Sequence, residues 1–284
     1  MTALVASDLD RTLVYSAAAL ELTGPDRLAP RLLCVETYRG RPLSYLTEIA
    51  AGLLTELAAR ALFVPATTRT REQYERVRLP VPTPDYAICA NGGHLLVGGA
   101  PDWDWTRAVR ARLDGSAVPL AEVTARLAAS ADPSWLLKQR VAEDFFAYLV
   151  VERELLPAGW LEELTGWAAE RGWTVSLQGR KVYAVPAGLT KSAAVREVVG
   201  RTGAAPLLAA GDSLLDADLL LAADEGLLPG HGELAASGFT APGVTGLGER
   251  GVLAGEEIVR RLFMTAIGHQ PSAAQPSRAR PPVA

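Results

Sequence analysis

The stretch Ala3-Leu4-Val5-Ala6-Ser7-Asp8-Leu9-Asp10-Arg11-Thr12 decides the fold. A short apolar run stops abruptly at two carboxylates. A strand buried on both faces of a parallel sheet reads as continuous apolar residues, and polar chemistry gathers at its carboxyl end. Two acids two residues apart on an extended strand end point the same way. Keeping both ionised is costly unless a cation is bound or one takes a proton. Alone, the pair fits a solvated loop as well as it fits a site.

Outward from this strand, Leu46 to Leu62 spaces Ile49, Leu53 and Leu57 as a helix does. It runs into Phe63-Val64-Pro65-Ala66, a second strand, followed by Thr67-Thr68-Arg69-Thr70. Glu72 to Arg78 suits a helix, and Tyr86-Ala87-Ile88-Cys89 a third strand ending at Asn91-Gly92-Gly93. This alternation implies a parallel sheet with right-handed crossovers. From about residue 98 the pattern changes. Trp105 to Ser130 reads as one or two helices broken near Gly115 and Pro119, followed by β-rich runs at Trp135–Val141 and Phe145–Glu152. A helix near Trp160–Arg171 precedes a hairpin, Trp173–Leu177 and Lys181–Val185. Parallel-type segments then resume: a helix over Ser192–Arg201, a strand over Pro206–Ala210 and a helix over Ser213–Ala223. The fold class expected is α/β, a Rossmann-like parallel-sheet core with helices on both faces plus an inserted α+β module. Its divisions are core 1–97, insertion 98–184, core 185–267, and a Pro- and Ser-rich disordered tail over 268–284.

Composition bounds the function. The 284 residues are 49% hydrophobic and 21% charged, with 28 basic and 32 acidic residues and a net charge of −4. No basic block recommends nucleic acid. The first residues are too short and acidic for a signal peptide, and no apolar run is long enough to cross a bilayer. Cys34 and Cys89 match no metal spacing and read as reduced, buried thiols of a cytoplasmic protein. The three histidines, His94, His231 and His269, lie far apart, which disfavours a Ser-His-Asp triad or a histidine-rich metal site.

Three more segments sit where secondary structure changes. Gly211-Asp212-Ser213-Leu214-Leu215-Asp216 follows an apolar strand. Its two acids fit a helix cap taken singly, and with Asp8 and Asp10 they make an oxygen-rich set suited to Mg2+. Thr67 ends the second strand with a hydroxyl able to hold a phosphoryl oxygen. Lys191 enters a helix in Gly188-Leu189-Thr190-Lys191-Ser192, where an ammonium beside acids can offset developing charge.

Asp8-Leu9-Asp10-Arg11-Thr12, Thr67 with Arg69, Lys191, and Gly211-Asp212-Ser213 with Asp216 resemble the four ordered motifs of the haloacid dehalogenase (HAD) superfamily. Asn91-Gly92 and Gly-Leu-Thr-Lys-Ser are similar to its Cof-like and sucrose-phosphatase-like branch, which carries a large α/β cap between the second and third motifs. The resemblance implies a phosphatase acting on a small phosphate ester, a sugar phosphate or nucleotide-like compound. Asp8 would be the nucleophile and Asp10 the acid and base; Thr67 and Lys191 would hold the phosphoryl group. Mg2+ would be held by Asp8, the backbone carbonyl of Asp10 and Asp212, with Asp216 completing or orienting the shell. Arg11, Thr68 and Leu215 depart from the family's usual Gly, Gly and Asn. A phosphomutase of the same fold, or a phosphate-binding protein with a retired site, are the alternatives. The expected protein is a monomer or homodimer.

For substrate selection, the inserted module offers Lys138, Arg140, Arg180 and Lys181 with the aromatics Trp135, Tyr148 and Tyr183. Arg69 is a further candidate. Glu36 to Pro42 reads as a long connection, and Arg39 or Arg41 within it is expected to contact a second anionic group of the substrate.

Overall fold

In the computed structural model, which describes residues 2–269, the chain enters as β1 (Leu4–Ser7). A hairpin of β2 (Leu32–Tyr38) and β3 (Arg41–Thr47) leads to α1 (Glu48–Ala58), β4 (Leu62–Pro65), α2 (Arg71–Glu75) and β5 (Tyr86–Cys89). β6 (His94–Val97) and β7 (Ala100–Pro101) fold back beside β5. An α+β block follows: α3 (Trp103–Leu113), α4 (Leu120–Ser130), β8 (Leu136–Ala142), β9 (Phe146–Val151), α5 (Trp160–Ala169), β10 (Trp173–Gln178) and β11 (Lys181–Pro186). The chain returns as α6 (Lys191–Thr202), β12 (Leu207–Ala210), α7 (Ala217–Ala222) and β13 (Glu225–Leu228). It ends with α8 (Gly232–Ala236), β14 (Val244–Gly246) and α9 (Gly251–Gly268). The tail expected from residue 268 lies, from 270 on, outside the described residues; Gly268 itself closes α9.

Five strands form a parallel sheet in the order β14-β13-β12-β1-β4, and helices cover both of its faces. Alternation along the strands separates the two layers. Val5, Phe63 and Leu208 pack with α1 and α9 residues such as Leu54 and Ile258. Leu4, Val64 and Ala209 pack with Val195 of α6 and Leu219 of α7. β1, at the sheet's interior, is buried at every residue, as its unbroken apolar run requires. The antiparallel domain is a four-stranded sheet in the order β10-β11-β9-β8. One face is backed by α4 and α5. The other carries two cross-strand rows: Lys138, Val150, Lys181 and Gln178, then Arg140, Tyr148, Tyr183 and Ser176.

Several local expectations are corrected. The stretch from Glu36 to Pro42 is a β-hairpin, not a loop: Arg39 and Gly40 both have positive φ, the geometry of a tight two-residue turn. α1 starts at Glu48, capped by Thr47, and buries Ala50, Leu54 and Leu57 while Ile49 turns to solvent. α2 ends at Glu75 because the chain leaves it to pair with β2, with Arg78 N–H donating to the Val35 carbonyl. β5 meets the parallel sheet only through the Ala66–Ile88 bridge and pairs mainly with β6. Positive φ at Ala90, Asn91 and Gly92 reverses the chain there. Cys34 is exposed; only Cys89 is a buried thiol.

Candidate active site

β1 and β12 are parallel neighbours with Ser7 opposite Ala210, so their carboxyl ends deliver Asp8 and Asp212 to the same edge of the sheet. The Asp8 N–H donates to the Ala210 carbonyl at 2.9 Å, fixing the start of the loop. Asp216 joins them one turn later. Gly211 makes this possible, since a Cβ there would stand 2.3 Å from that of Asp216. Oxygens of Asp8, Asp212 and Asp216 lie within 4.8 Å of one another, and all three residues are buried.

Lys191 is the counter-charge. A cation is out of place at a helix N-terminus, where the backbone dipole favours anions. Thr190 caps α6 by accepting from Ala193 N–H, which makes Lys191 the first helical residue and buries it completely. Its ammonium donates to Asp8 Oδ1 at 2.6 Å and Asp216 Oδ1 at 2.5 Å. Gly92 lets this loop close in: a Cβ there would lie 2.2 Å from the Thr190 carbonyl oxygen. Asp216 Oδ2 in turn accepts from Asp212 N–H, Ser213 N–H and the Ser213 hydroxyl. Both oxygens of Asp216 are therefore committed to holding the loop and the lysine.

Asp10 faces another way. Arg69 grips it with two bonds of 2.8 Å, Nε to Oδ2 and Nη2 to Oδ1, and reaches the buried Glu36 through Nη1 at 2.8 Å. Glu36 also accepts from the Ser44 hydroxyl and from Arg76. Thr67, fully buried one step past β4's sheet pairing, accepts from Arg69 N–H through its hydroxyl at 3.1 Å. Arg11 has φ 63°, a left-handed conformation that glycine adopts freely and that costs other residues roughly 1–2 kcal/mol. Its Nε pairs with Asp212 Oδ2 at 3.3 Å. His231 holds its carbonyl: Gly251 N–H donates to Nδ1, so Nε2 carries the proton given to Arg11 O at 2.7 Å.

These contacts set opposite proton affinities on neighbouring acids. Burial, then Asp216 and Asp10, raise Asp8 against the pull of Lys191, from 3.8 to about 7. Burial and repulsion from Asp8 and Asp216 push Asp212 well above the ordinary carboxylate range. Burial also acts to raise Asp10, but Arg69 outweighs it and holds Asp10 at about 2. Lys191, opposed by its burial, is raised by Asp216 and Asp8. A cluster in which burial and mutual repulsion push two acids toward protonation fits a hard divalent cation, which satisfies the same oxygens without the protons.

Of the residues expected from sequence, Asp8, Lys191, Asp212 and Asp216 meet directly, while Thr67, Arg69 and Asp10 adjoin them at the same edge. Lys181 faces this edge from the antiparallel domain, close enough for its charge to act on Asp10. Arg39 sits at the hairpin turn against the Tyr38 ring, and Arg41 is exposed beside it. Lys138 and Arg140 are exposed on the outer strand β8. Sequence reasoning missed Glu36, which anchors Arg69, and His231, which holds the Arg11 carbonyl. Neither belongs to a recognisable spacing.

Compared by sequence, the chain matches no family model and no curated protein. By structure it is similar to phosphatases of the HAD superfamily. The sucrose-phosphatase of Synechocystis sp. PCC6803, solved with sucrose and phosphate, aligns with a TM-score of 0.61 at 15% identity, covering 92% of this chain and 98% of that one. The C-terminal domain of the C. albicans trehalose-6-phosphate phosphatase gives 0.55 at 11% identity, over 93% and 92%. A HAD subclass IIB sugar phosphatase gives 0.54 at 14% identity, over 93% and 100%. The chain has the HAD-superfamily fold, with the parallel core and the added antiparallel domain both included in the match.

Proposed function

We propose that the protein is a Mg2+-dependent phosphatase that hydrolyses a small phosphorylated metabolite, of the sugar-phosphate or nucleotide-like kind, through an aspartyl-phosphate on Asp8. The carrying observation is the junction of Asp8, Lys191, Asp212 and Asp216 at the carboxyl edge of the parallel sheet. Phosphoryl transfer asks a protein mainly for alignment and charge compensation, and this set supplies both. The solved neighbours named as sucrose-phosphatase and sugar phosphatase support the choice of substrate class.

Asp8 is the nucleophile, held in place by Lys191 on one carboxylate oxygen. The lysine ammonium also neutralises charge on the transferring phosphoryl group. Thr67 offers a hydroxyl to a phosphoryl oxygen. Asp8, the Asp10 carbonyl and Asp212 would hold Mg2+, while Asp216 orients Lys191 and the Asp212 loop. Bound there, the ion supplies further compensation of phosphoryl charge. Asp10, ionised by its pairing with Arg69, is set to take a proton from the water that resolves the intermediate. To give a proton to the leaving oxygen in the first half-reaction, Asp10 must loosen from Arg69.

The test is phosphate release from a panel of esters with Mg2+, for the wild type and for Asp8→Asn. Release by the wild type that Asp8→Asn abolishes is the expected result. Interconversion of isomeric phosphates without free phosphate would favour a mutase. Tight binding of an ester with no turnover by either protein would mark a retired site.

A further inference from the structure

We infer that the alcohol part of the substrate carries a second anionic group, a carboxylate or another phosphate, received by Lys181 and Arg140 on the open face of the antiparallel sheet. The inference rests on the phosphatase reading for one thing only, the direction in which the leaving group lies. A general acid and base must reach the leaving oxygen, so the alcohol extends from the phosphoryl site on the Asp10 side. Lys181 lies on β11, which pairs with β10, and Glu233 ties Ser176 and Leu177 of β10 to Leu214 N–H just after Asp212, so this face looks onto the same edge of the core.

The register fixes what else the alcohol would meet. Lys138, Val150, Lys181 and Gln178 make one row across the sheet, and Arg140, Tyr148, Tyr183 and Ser176 the next. This face is turned to the core, because the Ser176 hydroxyl donates to Glu233 of α8 at 2.6 Å. Neither row contains a carboxylate. Among the described residues, Lys138, Arg140 and Lys181 have no ion-pair partner within 4 Å, whereas Arg180 on the adjoining turn pairs with Glu152 and Arg153 lies beside the same turn. Lys181 instead lies 5.7 Å from the centre of the Tyr148 ring and 5.8 Å from that of Tyr183, which holds its ammonium over the sheet. The acid whose charge reaches Lys181, Asp10, is already gripped by Arg69, so three cations on one face, none of them in a salt bridge among the described residues, form a site that a complementary anion would complete.

The spacing bounds the ligand. Strands lie roughly 4.8 Å apart, so Arg140 on β8 is about 10 Å across the sheet from Lys181 on β11. An anion between the two thus lies within reach of both long side chains. A neutral hydroxylated alcohol would offer these cations no charge to pair with.

Matched esters test this: 3-phosphoglycerate against glycerol 3-phosphate, and fructose 1,6-bisphosphate against fructose 6-phosphate. Recognition without turnover is read as Kd on the Asp8→Asn protein by calorimetry, and turnover as kcat/KM on the wild type, both at low ionic strength with Mg2+. The anionic member of at least one pair is expected to win by about tenfold or more in both measurements. The pair that does so tells carboxylate from phosphate. In the double variant Lys181→Gln, Arg140→Gln, with an unchanged thermal midpoint as the folding control, that ratio is expected to collapse toward one. Equal values within both pairs, or a preference the double variant keeps, would overturn the inference and leave the phosphatase reading standing. A binding preference with no phosphate released from any ester, p-nitrophenyl phosphate included, would support the anion site and overturn the phosphatase reading.

Discussion

Asp8 sits between an ammonium and two other carboxylates, and its proton affinity follows from that company. Its pKa in the folded protein, about 7, lies above the ordinary 3.8. The folded state therefore holds a proton that the unfolded state has released between these values. Stability from this group is fully present below about pH 4 and is lost as pH rises through 7, at up to about 1.4 kcal/mol per pH unit for one proton. Asp212, also raised, adds in the same direction. In EDTA, the thermal midpoint of the wild type is expected to fall between pH 5 and pH 8, and Asp8→Asn to flatten that fall. Mg2+ should restore more stability at pH 8 than at pH 5, because it substitutes for protons already lost. Parallel slopes for wild type and Asp8→Asn in EDTA would sink this account. These acids were legible in the sequence because each terminates an apolar strand or opens a helix, a local signal. Glu36 and His231 were not, since their roles depend on contacts made 33 and 220 residues away.

The five-residue helix α8 joins the two parts of the molecule through one side chain. Glu233 accepts from the Ser176 hydroxyl at 2.6 Å and from Leu177 N–H at 3.2 Å on β10, and from Leu214 N–H at 2.8 Å in the loop after Asp212. The same carboxylate thus ties the antiparallel sheet to the loop that carries the acids. A second tie runs from Glu143, in the β8–β9 turn, to Arg71 on α2 and to His94. Hydrogen bonds to a charged group contribute about 1.5–3 kcal/mol each. Glu233→Ala is expected to speed amide exchange across Ser176–Gln178 by roughly tenfold or more, while exchange in α9, on the far layer of the core, stays as it was. Unchanged exchange on β10 would remove Glu233 as a clasp. At this scale the sequence was readable wherever periodicity was local: α3 and α4 break between Leu113 and Leu120, close to Gly115 and Pro119 as read, and β8 to β11 fall within a residue or two of expectation. It was unreadable for the β2–β3 hairpin, because its turn uses Arg39 at positive φ in place of the Asn-Gly or Asp-Gly that signals such a turn.

Over the whole molecule, the apolar residues fall into two principal clusters, and their division does not follow the boundary between the two sheets. One lies between the parallel sheet and α1 with α9. The other starts on the opposite face of that sheet at Leu4, Val64 and Leu207, passes α6 and α7, and continues through Trp105, Val123, Phe146 and Val185 into the antiparallel domain. Removing either domain would expose this shared layer, at roughly 1.5–3 kcal/mol for each large buried side chain. The two domains should therefore unfold together. Of the six tryptophans, Trp135, Trp160, Trp167 and Trp173 lie in the antiparallel domain while Trp103 and Trp105 touch His94 and Gly92, so fluorescence weights the antiparallel domain, whereas far-UV circular dichroism reports helices throughout the chain. The two melting curves are expected to coincide. Leu127→Ala, at a fully buried position of α4, should lower stability by about 2–5 kcal/mol and move both curves by the same amount. A fluorescence midpoint that drops while a second dichroism transition stays at the wild-type temperature would mean that the continuous apolar layer does not couple the two domains.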